Sequence, residues 1–102
     1  KALRRRFRRM PLEIEAGDLR QAARALSVGA DIILLDNMSP ARLREAIRLI
    51  RKSSPRTRVE ISGGVTLGNV GALARLGADR VSIGRITHSA PALDLSLEID
   101  FA

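Results

Sequence analysis

The chain has 102 residues, of which 45% are hydrophobic and 28% charged, proportions that suit one soluble globular domain. It has no cysteine, which excludes a disulfide scaffold, a thiolate zinc site and a cysteine nucleophile. No apolar run approaches the roughly 20 residues that span a bilayer, and the arginine-rich start lacks a signal peptide's apolar segment. A cytoplasmic protein is therefore expected.

The net charge of +7 is concentrated at the start of the chain. Six positive charges precede any acidic residue: Lys1, Arg4, Arg5, Arg6, Arg8 and Arg9. Residues 1–10 also place Leu3, Phe7 and Met10 on one stripe, which predicts a basic amphipathic helix leading into the domain. A solvated helix packed by that stripe is favoured over an arm that binds nucleic acid or anionic lipid.

The first predicted unit is a strand followed by a helix. Residues 12–15 alternate apolar and acidic residues, the period of a strand. Asp18 is expected to cap a helix whose apolar face is Leu19, Ala22, Ala23 and Leu26. Gly29 is expected to end that helix in the left-handed conformation.

The second unit begins with the continuous apolar run of residues 32–35, typical of a strand buried on both faces. This run ends on Asp36 and Asn37. Ser39 and Pro40 then predict an N-cap and first turn for the next helix. Its buried stripe is expected to comprise Leu43, Ala46, Ile47 and Ile50.

The third unit is a strand over residues 58–62 that runs into Ser62, Gly63 and Gly64. Thr66 is predicted to cap a helix with Leu67, Val70 and Ala74 on its inner face. Gly77 closes this helix, and a fourth strand over residues 80–83 ends at Gly84. Residues 93–99 alternate again and predict a terminal strand.

Strand–helix alternation at this pitch implies parallel strands with right-handed crossovers. The Gly-Ala-Asp triplets at residues 29–31 and 77–79 repeat the same helix stop before a strand. Because an eight-fold β/α barrel typically needs about 250 residues, residues 1–102 correspond to half a barrel or a small open sheet. The open edges of a half-barrel predict self-association or dependence on further strands.

Polar or glycine residues are predicted at four successive strand ends: Glu15, Asp36, Ser62 and Gly84. Ligands of parallel β/α folds bind at the carboxyl edge. Backbone N–H groups at Ser62, Gly63 and Gly64, with those around Gly84 and Arg85, suit a phosphate monoester. Glu15 and Asp36 suit ribose hydroxyls or Mg²⁺.

Three further residues have open roles. His88, the only histidine, is expected either to contact phosphate or to cap a turn. Glu13 and Glu60 lie deeper on their strands than Glu15 and Ser62. Because these strands carry no lysine to pair with them, their partner is expected from outside this segment.

Several motifs closely resemble quinolinate phosphoribosyltransferase, and the similarity runs in register from about residue 11 onward. They are Leu-Glu-Ile-Glu at 12–15, Leu-Leu-Asp-Asn-Met-Ser-Pro at 34–40, Ser-Gly-Gly-Val-Thr-Leu at 62–67, Gly84 with Thr-His-Ser at 87–89, and Ala-Leu-Asp-Leu-Ser-Leu at 92–97. A related molybdenum-transport-associated family usually has lysine where Asn37 stands, and ranks second.

The resemblance implies an α/β fold forming the C-terminal half of a TIM-like barrel. It implies transfer of phosphoribose from phosphoribosyl pyrophosphate to quinolinate, then decarboxylation to nicotinate mononucleotide in NAD biosynthesis. Glu15 and Asp36 fall on the ribose and Mg²⁺-pyrophosphate side. Ser62, Gly63 and Gly64, with Ile83, Gly84 and Arg85, fall on the phosphate loops.

The resemblance also implies partners for this chain, and the sequence departs from the family pattern at two places. The family's N-terminal domain, its basic cluster for quinolinate and its dimer partner's arginine have no counterpart in these residues, so the isolated chain is expected to be inactive. The full-length enzyme is expected to be a homodimer or larger. Arg85 replaces a usually small residue, and Ala16-Gly17 departs from the usual strand continuation. A sugar-phosphate-binding module without turnover remains an alternative.

Overall fold

The computed structural model describes residues 10–86 and 94–101. Strands and helices alternate from the first strand to the fourth. Their bounds are β1 Glu13–Ala16, α1 Leu19–Ser27, β2 Ile32–Asp36, α2 Pro40–Ser53, β3 Arg58–Ser62, α3 Val70–Ala74, β4 Arg80–Ile86 and β5 Asp94–Asp100. Apart from Met10, the predicted N-terminal helix lies outside the described residues, and so does His88.

All five strands form one sheet in the order β1-β2-β3-β4-β5. The pairings from β1 through β4 are parallel, which confirms the predicted α/β class and the β/α units. The terminal strand β5 runs antiparallel to β4. Two strand ends differ from prediction, because β1 continues past Glu15 to Ala16 and β4 continues past Gly84 to Ile86.

Four of the predicted helix boundaries are set by the expected residues, Asp18, Ser39, Gly29 and Gly77, whereas the cap predicted at Thr66 is wrong. Asp18 accepts a hydrogen bond from the Gln21 N–H at 2.8 Å, which caps α1. Ser39 caps α2 ahead of a proline in its first turn. Gly29 and Gly77 adopt φ of 79° and 100°, the left-handed conformation that ends a helix at low steric cost when no Cβ is present.

The core lies between the helices and one face of the sheet. Strand residues Ile33, Leu35, Val59, Ile61 and Val81 are almost completely buried there. The predicted stripe of α2 is fully buried against them: Leu43, Ala46, Ile47 and Ile50. Fully burying each such aliphatic side chain contributes about 1.5–3 kcal/mol, so this layer holds the strands in place.

Two predictions about helix faces are wrong. In α1 the second buried alanine is Ala25, whereas Ala23 is exposed. Leu67 precedes α3 and is 77% exposed, while Leu73 provides the buried contact of that helix. In both cases the apolar residues near the helix start allowed more than one stripe, and packing against the sheet selected another.

The opposite face of the sheet, here called the open face, carries polar side chains. Glu60 lies there, only 7% exposed, with the Arg58 Nε 3.4 Å from its Oε2. Arg80 stands beside Glu60 in the strand register. The expectation that its partner comes from outside this segment is therefore wrong, since arginines of β3 and β4 supply the positive charge.

A second set of ion pairs joins the last strand to its neighbours. Arg80 donates from Nε to the Oδ1 of Asp100 at 2.7 Å and from Nη1 to the Oε2 of Glu98 at 3.2 Å. Arg58 also donates to Asp100. Among residues 10–86 and 94–101, no helix combines the length and apolar character that crossing a bilayer requires.

Candidate functional site

Asp36 and Ser62 meet at the carboxyl edge of the parallel strands. They are register partners at the ends of β2 and β3. The Ser62 hydroxyl donates to the Oδ1 of Asp36 at 3.1 Å, and the Asn37 N–H donates to the Ser62 carbonyl oxygen at 2.9 Å. Two of the predicted strand ends therefore form one hydrogen-bonded unit.

The glycine turn after β3 lies directly against this unit. Gly63 and Gly64 have φ of 78° and 70°. A Cβ on Gly63 would lie 2.7 Å from the Asp36 Oδ1 and 2.9 Å from the Asn37 nitrogen, so no side chain fits there without displacement. Gly64 is less confined, because only the Asn37 Oδ1 comes within 4 Å, at 3.9 Å.

Thr66 and Asn69 hold the far side of the turn. The Thr66 N–H donates to the Asn69 Oδ1 at 2.8 Å, and the Asn69 N–H donates to the Thr66 hydroxyl at 3.3 Å. The Asn69 amide also donates to the Gly64 carbonyl oxygen at 2.9 Å. Thr66 therefore begins the turn that precedes α3, and the N-cap position of α3 is Asn69 rather than Thr66.

Glu15 lies on the open face of β1, opposite Leu34 in the register. Because side chains alternate along a strand, Leu34 and Asp36 share this face, so Glu15 is one row deeper than Asp36. Glu15 is exposed to solvent. The structure brings it to the same side of the sheet as Asp36 and Ser62.

The remaining predicted phosphate residues lie within a strand. Ile83, Gly84 and Arg85 belong to β4, where their register partners are Leu97, Ser96 and Leu95 of β5. Ile83 packs against the hydrophobic core. A loop was expected at Gly84 and Arg85, but the pairing with β5 extends the strand through both positions.

Two features of this edge were not predicted. Asn37 has φ of 55°, a left-handed conformation that asparagine adopts more readily than most residues, and this turns its N–H toward Ser62. Asn69 clamps the glycine turn. The signal for Asn37 was present, since asparagine directly after a strand often marks such a turn.

Glu60 is a carboxyl of the open face whose pKa is raised. Burial raises the pKa of Glu60 above its ordinary value, and the carboxylates of Glu13 and Glu98 add to the rise. The Arg80 and Arg58 guanidinium groups oppose it without cancelling it. The open face below the Asp36–Ser62 unit thus carries Glu60 together with Arg58 and Arg80, and the net effect of their surroundings is a raised pKa of Glu60.

Parallel β/α units with polar residues that meet at their carboxyl edge define the class of this protein as α/β, with a candidate ligand site at that edge. The sequence profile described as "Quinolinate phosphoribosyl transferase, C-terminal domain" matches residues 1–98. The chain belongs to the quinolinate phosphoribosyltransferase family.

Two similar proteins are both named nicotinate-nucleotide pyrophosphorylase. The "Probable nicotinate-nucleotide pyrophosphorylase (carboxylating)" of Archaeoglobus fulgidus is 47% identical over 90 residues, which cover 86% of this chain and 35% of that protein. The human "Nicotinate-nucleotide pyrophosphorylase (carboxylating)" is 38% identical over 90 residues, 88% of this chain and 30% of that protein. This chain thus spans about a third of the length of these curated relatives.

Solved structures agree with the fold. The crystal structure of the nicotinate-nucleotide pyrophosphorylase from Ehrlichia chaffeensis matches with a TM-score of 0.67 and 31% sequence identity. The match covers 78% of this chain and 28% of that one. Together with the family profile, it confirms the predicted C-terminal barrel architecture.

Proposed function

We propose that this chain serves the transfer of phosphoribose from phosphoribosyl pyrophosphate to quinolinate, with decarboxylation to nicotinate mononucleotide. Within that reaction it supplies the ribose-phosphate half of the site. Family membership and the names of the relatives support the reaction. The observation that carries the half-site is the contact of Asp36, Ser62 and Gly63 at one strand edge.

The phosphate monoester of the ribose is assigned to the turn of Ser62, Gly63 and Gly64. Consecutive left-handed glycines leave backbone N–H groups bare, and the Ser62 hydroxyl adds a further donor. The N–H groups around Gly84 and Arg85 of β4 are assigned to the same phosphate. His88 remains a proposed phosphate contact outside the described residues.

Glu15 and Asp36 are assigned to the ribose hydroxyls and to Mg²⁺. Within residues 10–86 and 94–101, no cluster of three or more histidine, cysteine, aspartate or glutamate residues could hold a metal ion. Two carboxylates on one face nevertheless fit Mg²⁺, which commonly takes one or two protein carboxylates and completes its shell with phosphate oxygens and water. When bound, the ion would neutralise charge on the departing pyrophosphate.

The protein groups then act by position and charge. Asp36 is held by Ser62, so its second oxygen remains available to the ribose side of the ligand. Positive charge develops at the ribose carbon when pyrophosphate leaves, and carboxylates at fixed positions stabilise such charge. We further propose that the isolated chain is inactive, because in the family the groups that bind quinolinate belong to other parts of the enzyme.

Titration of the chain with phosphoribosyl pyrophosphate, with and without Mg²⁺, tests the half-site. We expect Ser62→Ala and Asp36→Asn each to weaken binding by about tenfold or more, as expected when a charge-assisted contact is lost. Ser53→Ala and Glu45→Gln are matched controls, because both residues are exposed on α2. Unchanged affinity in the site variants would refute the half-site.

An assay of nicotinate mononucleotide formation tests the remaining claim. The chain alone is expected to bind phosphoribosyl pyrophosphate without forming product, and appreciable turnover would refute its proposed inactivity. If the chain binds phosphoribosyl pyrophosphate, and a longer protein that contains this segment also forms no nicotinate mononucleotide, a non-catalytic sugar-phosphate-binding module is favoured instead.

Assembly and location are also proposals. In the described part of the chain, the outer edge of β1 has no strand partner, and exposed edges favour association. A homodimer or larger assembly of the full-length enzyme is proposed, and sedimentation would test it: a stable monomer at micromolar concentration contradicts it. A cytoplasmic location remains a prediction.

A further inference from the structure

A cleft between α2 and α3 lies on the outer, helical side of the sheet. It has a volume of about 460 Å³ and is lined by Arg44, Arg48, Ala72, Arg75 and Leu76. We propose that this cleft, here called the arginine cleft, binds a compact polyphosphate anion. The site is separate from the carboxyl edge and does not depend on the proposed function.

The three arginines of the cleft have no ion-pair partner in the part of the chain that the structure describes. Arg44, Arg48 and Arg75 form no ion pair or side-chain hydrogen bond with any other described residue. Four other described arginines form ion pairs, namely Arg42, Arg51, Arg58 and Arg80, whereas the exposed Arg20, Arg24 and Arg56 do not and line no part of this cleft. The cleft therefore concentrates positive charge that no described residue pairs.

The positions of the three arginines distinguish the arginine cleft from an ordinary solvent-exposed helix face. Arg44 and Arg48 are four residues apart on α2, so they are like-charged neighbours whose repulsion disfavours the helix. Arg75 follows directly after α3 and lines the same cleft from a second element. An anion seated between them would relieve repulsion within α2 and between the two elements at once.

The chemistry of the lining favours phosphate oxygens. A guanidinium presents a rigid fork of N–H donors that matches two phosphate oxygens, and three such groups suit an anion with several charged oxygens. Ala72 and Leu76 leave a small apolar floor. The volume falls at the lower end of small-molecule sites, which span roughly 300–1,000 Å³, and this suits a compact ligand.

The sheet separates this cleft from the carboxylates. Asp36, Glu15 and Glu60 all belong to the open face, whereas the arginine cleft lies among the helices on the other side. An anion that approaches the outer side therefore meets arginines without facing these acids. The sheet therefore lies between the two proposed sites.

Calorimetric titration of the 102-residue chain with inorganic triphosphate at low salt tests the proposal. The variant Arg44→Gln/Arg48→Gln/Arg75→Gln is expected to bind at least tenfold more weakly than the parent chain, since each lost charge-assisted contact is sizeable. The variant Arg24→Gln/Lys52→Gln/Arg56→Gln removes the same charge from exposed residues that do not line the cleft, and it is expected to bind normally.

A residue-resolved readout locates the ligand. Triphosphate should protect Arg44, Arg48 and Arg75 from modification by phenylglyoxal, measured by mass spectrometry, while Arg24 and Arg56 remain reactive. Orthophosphate should bind more weakly, because it reaches fewer guanidinium groups. Circular dichroism confirms that each variant is folded.

Three results would overturn the proposal. One is equal loss of affinity in the two charge-matched variants, which would indicate general electrostatic attraction. Another is absence of triphosphate binding or of selective protection. The third is tight binding of a DNA or RNA oligonucleotide by the parent chain that the arginine-cleft variant loses, which would assign the cleft to nucleic acid instead. Because Asp36→Asn and Ser62→Ala leave the cleft intact, failure of the half-site and failure of the arginine cleft are distinguishable.

Discussion

Arg51, near the end of α2, donates from Nη2 to the Oδ2 of Asp79 at 2.9 Å, across 28 residues of chain. The same guanidinium donates to the carbonyl oxygens of Thr57 and Gly77, each at 2.8 Å. Asp79 in turn accepts from the Val59 N–H at 2.8 Å. One side chain thus ties together α2, the start of β3 and the turn before β4.

Replacing Arg51 is expected to destabilise the fold. Arg51→Ala removes three hydrogen bonds and leaves two carbonyl oxygens and a carboxylate without this donor, at a cost of about 1–3 kcal/mol. Urea unfolding followed by circular dichroism measures it. The control is Arg42→Ala, whose exposed pair with Glu45 at 3.7 Å is worth about 0–1 kcal/mol. Equal losses in the two variants would contradict this role.

Acid is expected to weaken the Asp79 contacts. Burial raises the pKa of Asp79, but the Val59 N–H and the Arg51 guanidinium outweigh it and hold the pKa below its ordinary value. This stabilisation is therefore present above the unfolded pKa of about 3.9 and is lost as pH falls through the folded pKa. The stability gap between parent and Asp79→Asn should shrink as pH falls from about 5 toward 2, and a constant gap would disprove the linkage.

Glu60 should show the opposite dependence. Burial, aided by Glu13 and Glu98, raises its pKa, so the folded state holds this proton more tightly than the unfolded state. Its contribution is complete below the unfolded pKa of about 4.3 and is lost as pH rises through the folded pKa. The stability of Glu60→Gln relative to the parent should therefore improve between pH 3 and pH 7.

Glu45→Gln is the control for that measurement, because Glu45 is exposed on α2. Chemical denaturation at several pH values yields both differences. A relative stability of Glu60→Gln that falls with rising pH would mean that Arg58 and Arg80 stabilise the charged form more than burial disfavours it.

The two glycines of the turn should differ in their tolerance of alanine. Both have positive φ, which costs a residue with a side chain about 1–2 kcal/mol. Gly63→Ala also forces its Cβ against Asp36 and Asn37, so it should lose more stability, and more affinity for phosphoribosyl pyrophosphate, than Gly64→Ala.

Gly71 lies in α3, and a Cβ added there would have no atom within 4 Å. Gly71→Ala should therefore raise the free energy of unfolding by about 0.5–1 kcal/mol.

Two leucines near α3 show the difference between the burial predicted from the sequence pattern and the burial found in the structure. Leu73 is 6% exposed, so Leu73→Ala should cost about 2–5 kcal/mol through lost burial and a cavity. Leu67 is 77% exposed, and Leu67→Ala should change the free energy of unfolding by less than about 0.5 kcal/mol. Thermal and urea unfolding measure both, and a large loss from Leu67→Ala would show that this side chain is buried in solution.

Local chemistry was sufficient to predict most of the elements. The apolar run before Asp36, the cap at Ser39 and the stop at Gly29 all depend on residues that are close in sequence. Their conformations follow from backbone sterics and from hydrogen bonds that span a few residues. The shared face of Glu15, Asp36 and Ser62 was predictable for the same reason, since side chains alternate along every strand.

Other features depended on partners distant in the chain. No local pattern near β5 indicates that it pairs antiparallel with β4, or that this pairing extends β4 beyond Gly84. Arg58 on the same strand already faces Glu60, but only the sheet brings Arg80 alongside it. The choice of Ala25 and Leu73 as buried residues was likewise made by the sheet against which the helices pack.

By itself, then, the sequence determined the alternation of β/α units, most of their caps and the family to which the chain belongs, because these features depend on side-chain patterns between residues that are close in sequence. Only the tertiary structure decided that Asp36, Ser62 and Gly63 are in contact, that Arg51 reaches Asp79, and that three arginines with no ion pair among the described residues line one cleft. The physical reason is that such contacts join residues tens of positions apart, and their energies depend on distance and burial that exist only once the sheet has formed.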